Sequence, residues 1–104
     1  EMHVMELNTQ PAGFFLVSDD ELDQFYVAPA ARGTGAAAML MKEAEDRFRT
    51  LGVTNVWLAC AIGNMRAARF YEKAGWHRAG EQPTNVETSE GPYSLDVWRY
   101  EKRL

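Results

Sequence analysis

The 104-residue chain is long enough for one hydrophobic core but too short for two. Hydrophobic residues make up 46% of it and aromatic residues 12%, which excludes a disordered protein. Eleven Lys and Arg against fifteen Asp and Glu give a net charge of −4, so neither nucleic acid nor an anionic membrane is expected as a main partner.

The first part of the chain predicts three strands. Residues 2–8 and 13–18 have strand composition and are joined by a turn at Gln10-Pro11-Ala12, and residues 21–27 predict the third strand.

Apolar alternation slips within the third strand. Leu22 and Val27 are apolar at an odd separation, and Phe25 and Tyr26 are both apolar between them. Either a bulge that reverses the facing of later residues, or burial of both faces toward the end of the strand, explains the slip.

Two helices follow, with a strand between them. Residues 36–51 carry an apolar stripe at helical spacing, and Gly52 ends this helix. The stripe consists of Ala37, Leu40, Met41, Ala44, Phe48 and Leu51, and the solvent face of Lys42, Glu43, Glu45, Asp46, Arg47 and Arg49. Residues 53–60 predict an interior strand.

The second helix is capped by Asn64 and ended by Gly75, with Ala67, Phe70, Tyr71 and Ala74 facing inward. Residues 76–82 and 94–101 predict two more strands, joined by a polar loop at 83–93. The helical crossovers require some parallel pairing, so the expected fold is a mixed α/β sheet.

The first helix begins after a loop with few side chains, "VAPAARGTGAAAML" at residues 27–40. A helix start exposes about four unpaired N–H groups and the positive end of the helix dipole, and both attract phosphate. Gly33 and Gly35 allow close approach to an anion, and Arg32 can form a forked contact with phosphate oxygens. The loop therefore predicts a phosphate site.

Two general phosphate-binding motifs fit this loop poorly. A P-loop needs a lysine after the glycines, and none is present. Gly33-x-Gly35-x-x-Ala38 matches the dinucleotide fingerprint, but the acidic residue about 20 positions later is missing.

Two segments together resemble the GCN5-related N-acetyltransferase (GNAT) superfamily. Residues 32–37 fit its R-x-x-G-x-G/A loop, and "NMRAARFYEKAGW" fits its N-x-x-A-x-x-F-Y-x-K-x-G-[FW] segment. The resemblance runs from about Phe14 to the C-terminus. The residues that match the second segment are Asn64, Ala67, Phe70, Tyr71, Lys73, Gly75 and Trp76.

The resemblance implies a single GNAT-like domain over residues 1–104, with a mostly antiparallel sheet, flanking helices and a strand pair that splays next to the bulged strand. The family's first strand and first two helices have no counterpart in this sequence. Either the N-terminus was cut, or a second subunit completes the domain, so a homodimer is a possible form. The lone Cys60 and the absence of an apolar run or a secretory signal favour a cytoplasmic location.

The implied activity is transfer of an acetyl group from acetyl-CoA to a primary amine by direct attack in a ternary complex. The alternative is a CoA-binding module that has lost turnover and has a regulatory role. No metal is expected, because His3, His77 and Cys60 are too few and too far apart.

By the same resemblance, backbone atoms of Phe25, Tyr26 and Val27 bind the pantetheine arm, and Asn64 contacts the cofactor on the other side. The pyrophosphate and remaining cofactor contacts are assigned to Arg32, Gly33, Thr34, Gly35, Ala36, Ala37, Ala67 and Tyr71.

Acetyl transfer also needs a proton acceptor, because an amine with a pKa of about 10.4 is protonated at neutral pH. Glu21 and Asp23 are candidate bases, Asp19 a weaker one, and each could instead be a solvated strand residue. The resemblance makes Tyr71 the candidate acid, whereas its spacing alone favours a core residue. The 83–93 segment, with Glu87 and Glu90, is expected to border the site of a cationic amine.

Overall fold

The structure, a computed structural model, describes residues 2–7 and 10–104, without the side chains of residues 7 and 10. Its elements are β1 (Met2–Leu7), β2 (Gln10–Ser18), β3 (Glu21–Val27), α1 (Ala36–Thr50), β4 (Asn55–Ala61), α2 (Met65–Lys73), β5 (His77–Thr88) and β6 (Gly91–Arg103). A short 3-10 helix, Pro29–Ala31, precedes α1. None of the helices in the described ranges is long and apolar enough to cross a membrane.

The strands form one sheet in the order β1-β2-β3-β4-β6-β5. The pairs β1–β2, β2–β3 and β5–β6 are antiparallel, whereas β3 and β4, which are joined through α1, pair in parallel at Glu21 and Trp57. This confirms the predicted mixed, mostly antiparallel sheet with flanking helices. The splaying of two strands stays a prediction.

Residue contacts divide the chain into two compact units. The first unit comprises residues 1–57 and 103–104, and the second unit comprises residues 58–102.

In the first unit, α1 packs on β2 and β3. Phe15, Leu40 and Phe48 are each at most 1% exposed. Full burial of each such side chain stabilises the fold by about 1.5–3 kcal/mol. This packing fixes the start of α1, and with it the glycine loop.

A bulge lies in β3, as one of the two sequence interpretations predicted. Leu16 pairs with Gln24 and Val17 with Leu22, so Asp23 is the extra residue. After the bulge Tyr26 is exposed, which shows that the alternative, burial of both faces, was wrong.

The predicted turn at Gln10-Pro11-Ala12 was wrong. Gln10 and Pro11 pair with Leu7 and Glu6 of β1, and Ala12 is a buried residue of β2. Proline is tolerated in a strand where its missing N–H is not needed for pairing. Residue 8, the last of the first predicted strand, lies outside the described residues.

The α1 stripe was correct except at its end and one edge. Leu51 is 49% exposed because α1 ends at Thr50 and the chain then turns through Gly52, whose φ is +79°. Glu45, predicted on the solvent face, is only 7% exposed. It lies one turn before Phe48 beside the buried Ala44, and its carboxylate is 3.8 Å from Arg49 Nη2.

In the second unit, α2 packs against β5, and Ala68 is its buried residue. The predicted inward residues Phe70, Tyr71 and Ala74 are half-buried instead. Gly75 follows α2 with φ +94°, as its predicted role as helix stop requires.

The predicted loop at 83–93 was wrong, because β5 and β6 form a hairpin that continues to a turn after Thr88. Thr88 Oγ1 donates to the Gly91 carbonyl at 2.7 Å and accepts from the Glu90 N–H at 3.2 Å. Pro83 of β5 pairs with Asp96 of β6. β5 is the last strand in the sheet order, an edge position where proline is allowed.

Candidate functional site

The glycine loop of the first unit connects β3 to α1. Its start is fixed by a 2.7 Å bond from the Ala28 N–H to the Ala12 carbonyl on β2. Gly33 and Gly35 have φ of +80° and +86°, a left-handed conformation that glycine adopts without a Cβ penalty. These two glycines turn the chain, over residues 33–35, into the direction of the α1 axis.

Part of the loop backbone is bonded internally. The Arg32 N–H donates to the Pro29 carbonyl at 3.2 Å, and the Thr34 N–H to the Ala31 carbonyl at 3.4 Å. Thr34 Oγ1 donates to the same Ala31 carbonyl and accepts from the Ala36 N–H at 3.4 Å. Three of the predicted phosphate-contacting amides are therefore partly engaged in holding the loop.

The remaining amides are open. Across the described parts of the chain, the N–H groups of Gly33, Gly35, Ala37 and Ala38 donate no hydrogen bond. Gly35 is the N-cap of α1 without a side-chain cap, and the first turn of the helix holds no acidic residue. The site thus offers four N–H donors at the positive end of a 15-residue helix.

The sequence interpretation missed Ala38 as a contributor. Its amide is the third of α1, and a helix start leaves about four amides without intrahelical acceptors. The helix boundary at Ala36 was itself predicted, so counting four amides from it would have included Ala38. The side chain of Arg32, in the same loop, is exposed.

β3 presents its predicted pantetheine residues in alternation after the bulge. Phe25 and Val27 are half-buried, whereas Tyr26 is 45% exposed. The Tyr26 ring lies 5.6 Å from that of Phe14 on β2. The bulge thereby sets which face each of these residues takes.

The candidate bases differ in their surroundings. Glu21 is half-buried at the start of β3, opposite Trp57 of β4. Asp23, the bulge residue, is exposed, and Asp19 occupies the preceding turn with φ +53°. Asp20 accepts a 3.1 Å bond from Trp57 Nε1, so it is held by a structural contact. Glu21 is the least solvated of the three candidates.

In the second unit, Asn64 caps α2, as the sequence predicted. Its Oδ1 accepts the Ala67 N–H at 3.2 Å, and its carbonyl accepts the Ala68 N–H at 3.0 Å. Ala67 is half-buried and carries no side chain beyond Cβ. The cap therefore fixes where α2 begins.

Tyr71 lies in the last turns of α2 within an aromatic cluster. Its ring is 5.6 Å from Phe70, 5.9 Å from Tyr100 and 6.5 Å from Trp76. Burial, with a smaller contribution from Cys60, raises the pKa of Tyr71 to about 12. The phenol is therefore protonated at neutral pH and acts as a hydrogen-bond donor.

Cys60 is a buried thiol on β4, 3% exposed, as the sequence suggested. Burial raises the pKa of its thiol, which keeps it protonated and unreactive. Within residues 2–7 and 10–104, no group of three or more His, Cys, Asp and Glu could hold a metal ion.

The model of the acetyltransferase (GNAT) family matches residues 1–76 of the chain. The chain belongs to this family.

Two curated relatives are named as N-acetyltransferases. An uncharacterized N-acetyltransferase of Mycobacterium tuberculosis is 43% identical over 58 residues, which are 56% of this chain and 37% of that protein. The peptidyl-lysine N-acetyltransferase YjaB of Escherichia coli is 33% identical over 86 residues, 83% of this chain and 54% of that protein. The chain thus spans about half the length of these relatives or less.

Among solved structures, a GNAT family acetyltransferase from Elizabethkingia anophelis with acetyl-CoA bound superposes with a TM-score of 0.79. The superposition covers 99% of this chain and 75% of that chain at 13% identity. At this identity the similarity shows a common fold.

Proposed function

We propose that the protein transfers an acetyl group from acetyl-CoA to a primary amine by direct attack within a ternary complex. The observation that carries this proposal is the set of four open amides at Gly33, Gly35, Ala37 and Ala38. Backbone donors at a helix start suit the pyrophosphate of a coenzyme, and Arg32 adds a permanent positive charge. Family membership supports acetyl-CoA as the donor.

In the proposed reaction the amine nitrogen attacks the thioester carbonyl carbon, the C–S bond breaks, and the thiolate leaves. A carboxylate of β3, directly or through water, first takes a proton from the acceptor's ammonium, because only the neutral amine has the lone pair that attacks. The second proton leaves the nitrogen to water as the amide forms and the thiolate departs. Glu21 is favoured over Asp23 for this role because it is half-buried at the start of β3, whereas Asp23 is exposed.

Tyr71 is proposed to donate a hydrogen bond to the departing sulfur. Full proton transfer from a phenol of pKa about 12 to a thiolate of pKa about 8.5 is uphill by ~3.5 units, or ~5 kcal/mol. A hydrogen bond to the developing charge costs no such transfer and still stabilises the transition state. The raised pKa therefore favours donation without transfer.

The acceptor is proposed to be a cationic amine, drawn to the β5–β6 hairpin. Four carboxylates and no Lys or Arg lie between Ala79 and Trp98, and Glu87 and Glu90 are exposed near the turn. The E. coli relative YjaB is named a peptidyl-lysine N-acetyltransferase, which supports a lysine side chain as the first acceptor to test.

Two measurements test this proposal. In a thermal-shift comparison, acetyl-CoA should raise the melting temperature and NADH should not, because a ligand that binds only the folded state stabilises it. Release of CoA thiol is then measured with a lysine peptide blocked at its N-terminus, a peptide with a free N-terminus and a small diamine.

Amine-dependent thiol release supports the enzyme. Binding of acetyl-CoA without release for any amine supports the CoA-binding module instead, and stabilisation by NADH alone contradicts both. With an active acceptor, Glu87→Gln combined with Glu90→Gln should raise its KM and leave the KM for acetyl-CoA unchanged. An unchanged acceptor KM would remove the hairpin from the acceptor site.

A further inference from the structure

A polar cluster in the second unit connects α2 to both strands of the hairpin. The Tyr100 hydroxyl on β6 donates to Glu72 Oε2 on α2 at 2.5 Å. The same hydroxyl accepts from Arg78 Nε and Nη2 on β5, both at 3.2 Å. Tyr100 is 0% exposed, so its hydroxyl is satisfied by these two side chains while its ring is buried.

Two further contacts hold the Arg78 side chain in place. Its guanidinium carbon lies 3.8 Å from the centre of the Trp98 ring, and Arg78 Nη2 lies 3.6 Å from Glu72 Oε2. Hydrogen bonds with an ionised partner are roughly twice as strong as neutral ones. The cluster therefore links three elements through the buried Tyr100, with the Arg78 and Glu72 side chains 38% and 48% exposed.

This link reaches Tyr71 through the backbone and through its ring. Glu72 is the next residue of α2, so anchoring its side chain restrains the helical turn that carries Tyr71. The Tyr100 ring lies 5.9 Å from the Tyr71 ring. Lys102 Nζ, also on β6, donates to the Ala74 carbonyl at the end of α2 at 2.6 Å.

We propose that Glu72, Arg78 and Tyr100 are positioning residues that fix the direction of the Tyr71 hydroxyl. The effect on catalysis rests on the proposed function, whereas the effect on the Tyr71 side chain does not. A hydrogen bond to a departing atom is effective only at a defined place, and an error of about 1 Å can cost about 100-fold in rate.

The first test measures Tyr71 itself in the free chain. Cys60 on β4 contributes to the raised pKa of Tyr71, and the Tyr100 ring on β6 lies 5.9 Å from its ring. Glu72 and Arg78 contact the Tyr100 hydroxyl. Tyr100→Phe keeps the buried ring and removes both hydroxyl contacts. The loosened turn should admit water to Tyr71, because burial is the main cause of its raised pKa.

The pKa of Tyr71 is followed by NMR of tyrosine labelled with carbon-13 at the phenol carbon. We expect it to fall from about 12 toward the ordinary value of about 10 in Tyr100→Phe. The matched control is Glu101→Gln, on the same hairpin strand, where Glu101 pairs with Arg99 at 2.6 Å and lies 4.0 Å from His77. A folded Tyr100→Phe chain with an unchanged Tyr71 pKa would overturn the proposal.

The second test is a kinetic cycle with the amine that releases CoA thiol. Tyr100→Phe should lower kcat about tenfold and leave the KM for acetyl-CoA unchanged, because a small displacement of Tyr71 weakens only transition-state contacts. In a Tyr71→Phe background, Tyr100→Phe should cause no further loss. An equal loss in both backgrounds would make the cluster merely structural and overturn the proposal.

The outcomes separate the two proposals. If Tyr71→Phe itself leaves kcat unchanged, the proposed role of Tyr71 fails, and the titration still decides whether the cluster positions it. If Tyr100→Phe does not fold, Glu72→Gln replaces it, since this variant keeps Tyr100 and removes the negative charge that accepts its hydroxyl.

Discussion

At the scale of single residues, Gly35 is needed in the loop for its positive φ rather than for lack of space. Gly35 has φ +86° and caps α1, and a Cβ built there meets nothing within 4 Å. Replacement by alanine would therefore cost only backbone strain, about 1–2 kcal/mol for a residue forced into this region. Because the added Cβ meets no protein atom, a loss of acetyl-CoA affinity in this variant must come from contacts with the ligand.

We expect Gly35→Ala to lower the affinity for acetyl-CoA about tenfold or more, because its Cβ holds the pyrophosphate away from the open amides. Gly52→Ala is the matched control. Gly52 lies at the other end of α1, has φ +79°, and likewise has no atom within 4 Å of a built Cβ. Isothermal titration and urea unfolding on both variants give the comparison.

Both variants should lose similar unfolding free energy, and only Gly35→Ala should lose affinity. Equal affinities in the two variants would show that the loop does not contact the coenzyme.

The raised pKa of Tyr71 predicts that the unfolding free energy falls at alkaline pH. Its pKa is about 12 in the folded chain and about 10 in the unfolded chain. Its contribution is therefore complete below pH 10 and is lost as the pH rises from 10 to 12, where only the unfolded chain releases the proton. The loss amounts to about 2–3 kcal/mol across that window.

Urea unfolding between pH 8 and 11 measures this dependence. Tyr71→Phe keeps the ring and removes the titration, so its unfolding free energy should fall less steeply above pH 10 than that of the unsubstituted chain. Parallel curves for the two chains would exclude a raised pKa at Tyr71.

At the scale of elements, the start of α2 depends on one side chain. Asn64 Oδ1 accepts the Ala67 N–H at 3.2 Å, so Asn64→Ala should cost about 1 kcal/mol of unfolding free energy. Asn64→Ser can form the same cap and should stay within a few tenths of a kcal/mol.

The serine variant also separates two roles of Asn64. If its amide contacts acetyl-CoA, Asn64→Ser should keep stability and lose affinity, measured by urea unfolding and calorimetric titration. Retained affinity in Asn64→Ser would limit Asn64 to capping.

The bulge and the caps could be predicted because they leave local marks in the sequence. The odd separation of Leu22 and Val27 is a direct consequence of the extra residue at Asp23, and Gly52 and Gly75 mark helix ends through their positive φ. Local patterns of this kind can be recognised in the sequence without knowledge of the tertiary structure.

The hairpin and the buried edge of α1 could not be predicted, because they depend on distant partners. Pro83 suggested a loop, and only its place on the edge strand β5 makes it compatible with pairing. Glu45 is 7% exposed, and its burial depends on what packs over this edge of α1, which the spacing to its near neighbour Arg49 does not reveal. The Glu72–Arg78–Tyr100 cluster joins residues up to 28 positions apart.

At the scale of the whole molecule, the family and the sheet could be predicted because two motifs occur in the right order around one helix and one strand. The loop geometry could be predicted only in part. The sequence indicated open amides, but not that Arg32, Thr34 and Ala36 would be bonded inside the loop.

One face of the first unit carries an exposed apolar row. Val4, Phe14 and Tyr26 pair in register across β1, β2 and β3, and Val4 and Tyr26 are 56% and 45% exposed. Gly13, the neighbour of Phe14, faces Leu40 of α1, so this apolar row lies on the opposite side of the sheet from the helix. The row is a surface on which a second copy could bind.

We expect a concentration-dependent rise in sedimentation coefficient, which Val4→Glu should reduce by adding a charge to the row. The chain remaining monomeric at all concentrations, with and without Val4→Glu, would exclude the homodimer.

The central claim is that the open amides of the glycine loop bind the pyrophosphate of coenzyme A. Two-dimensional NMR of the chain labelled with nitrogen-15 tests this most directly, by adding coenzyme A and, separately, pantetheine without phosphates. Coenzyme A should shift the amide resonances of Gly33, Gly35, Ala37 and Ala38 downfield, as new hydrogen bonds do, and pantetheine should leave them unmoved. Coenzyme A binding that leaves these four resonances in place, or no binding at all, would contradict the account.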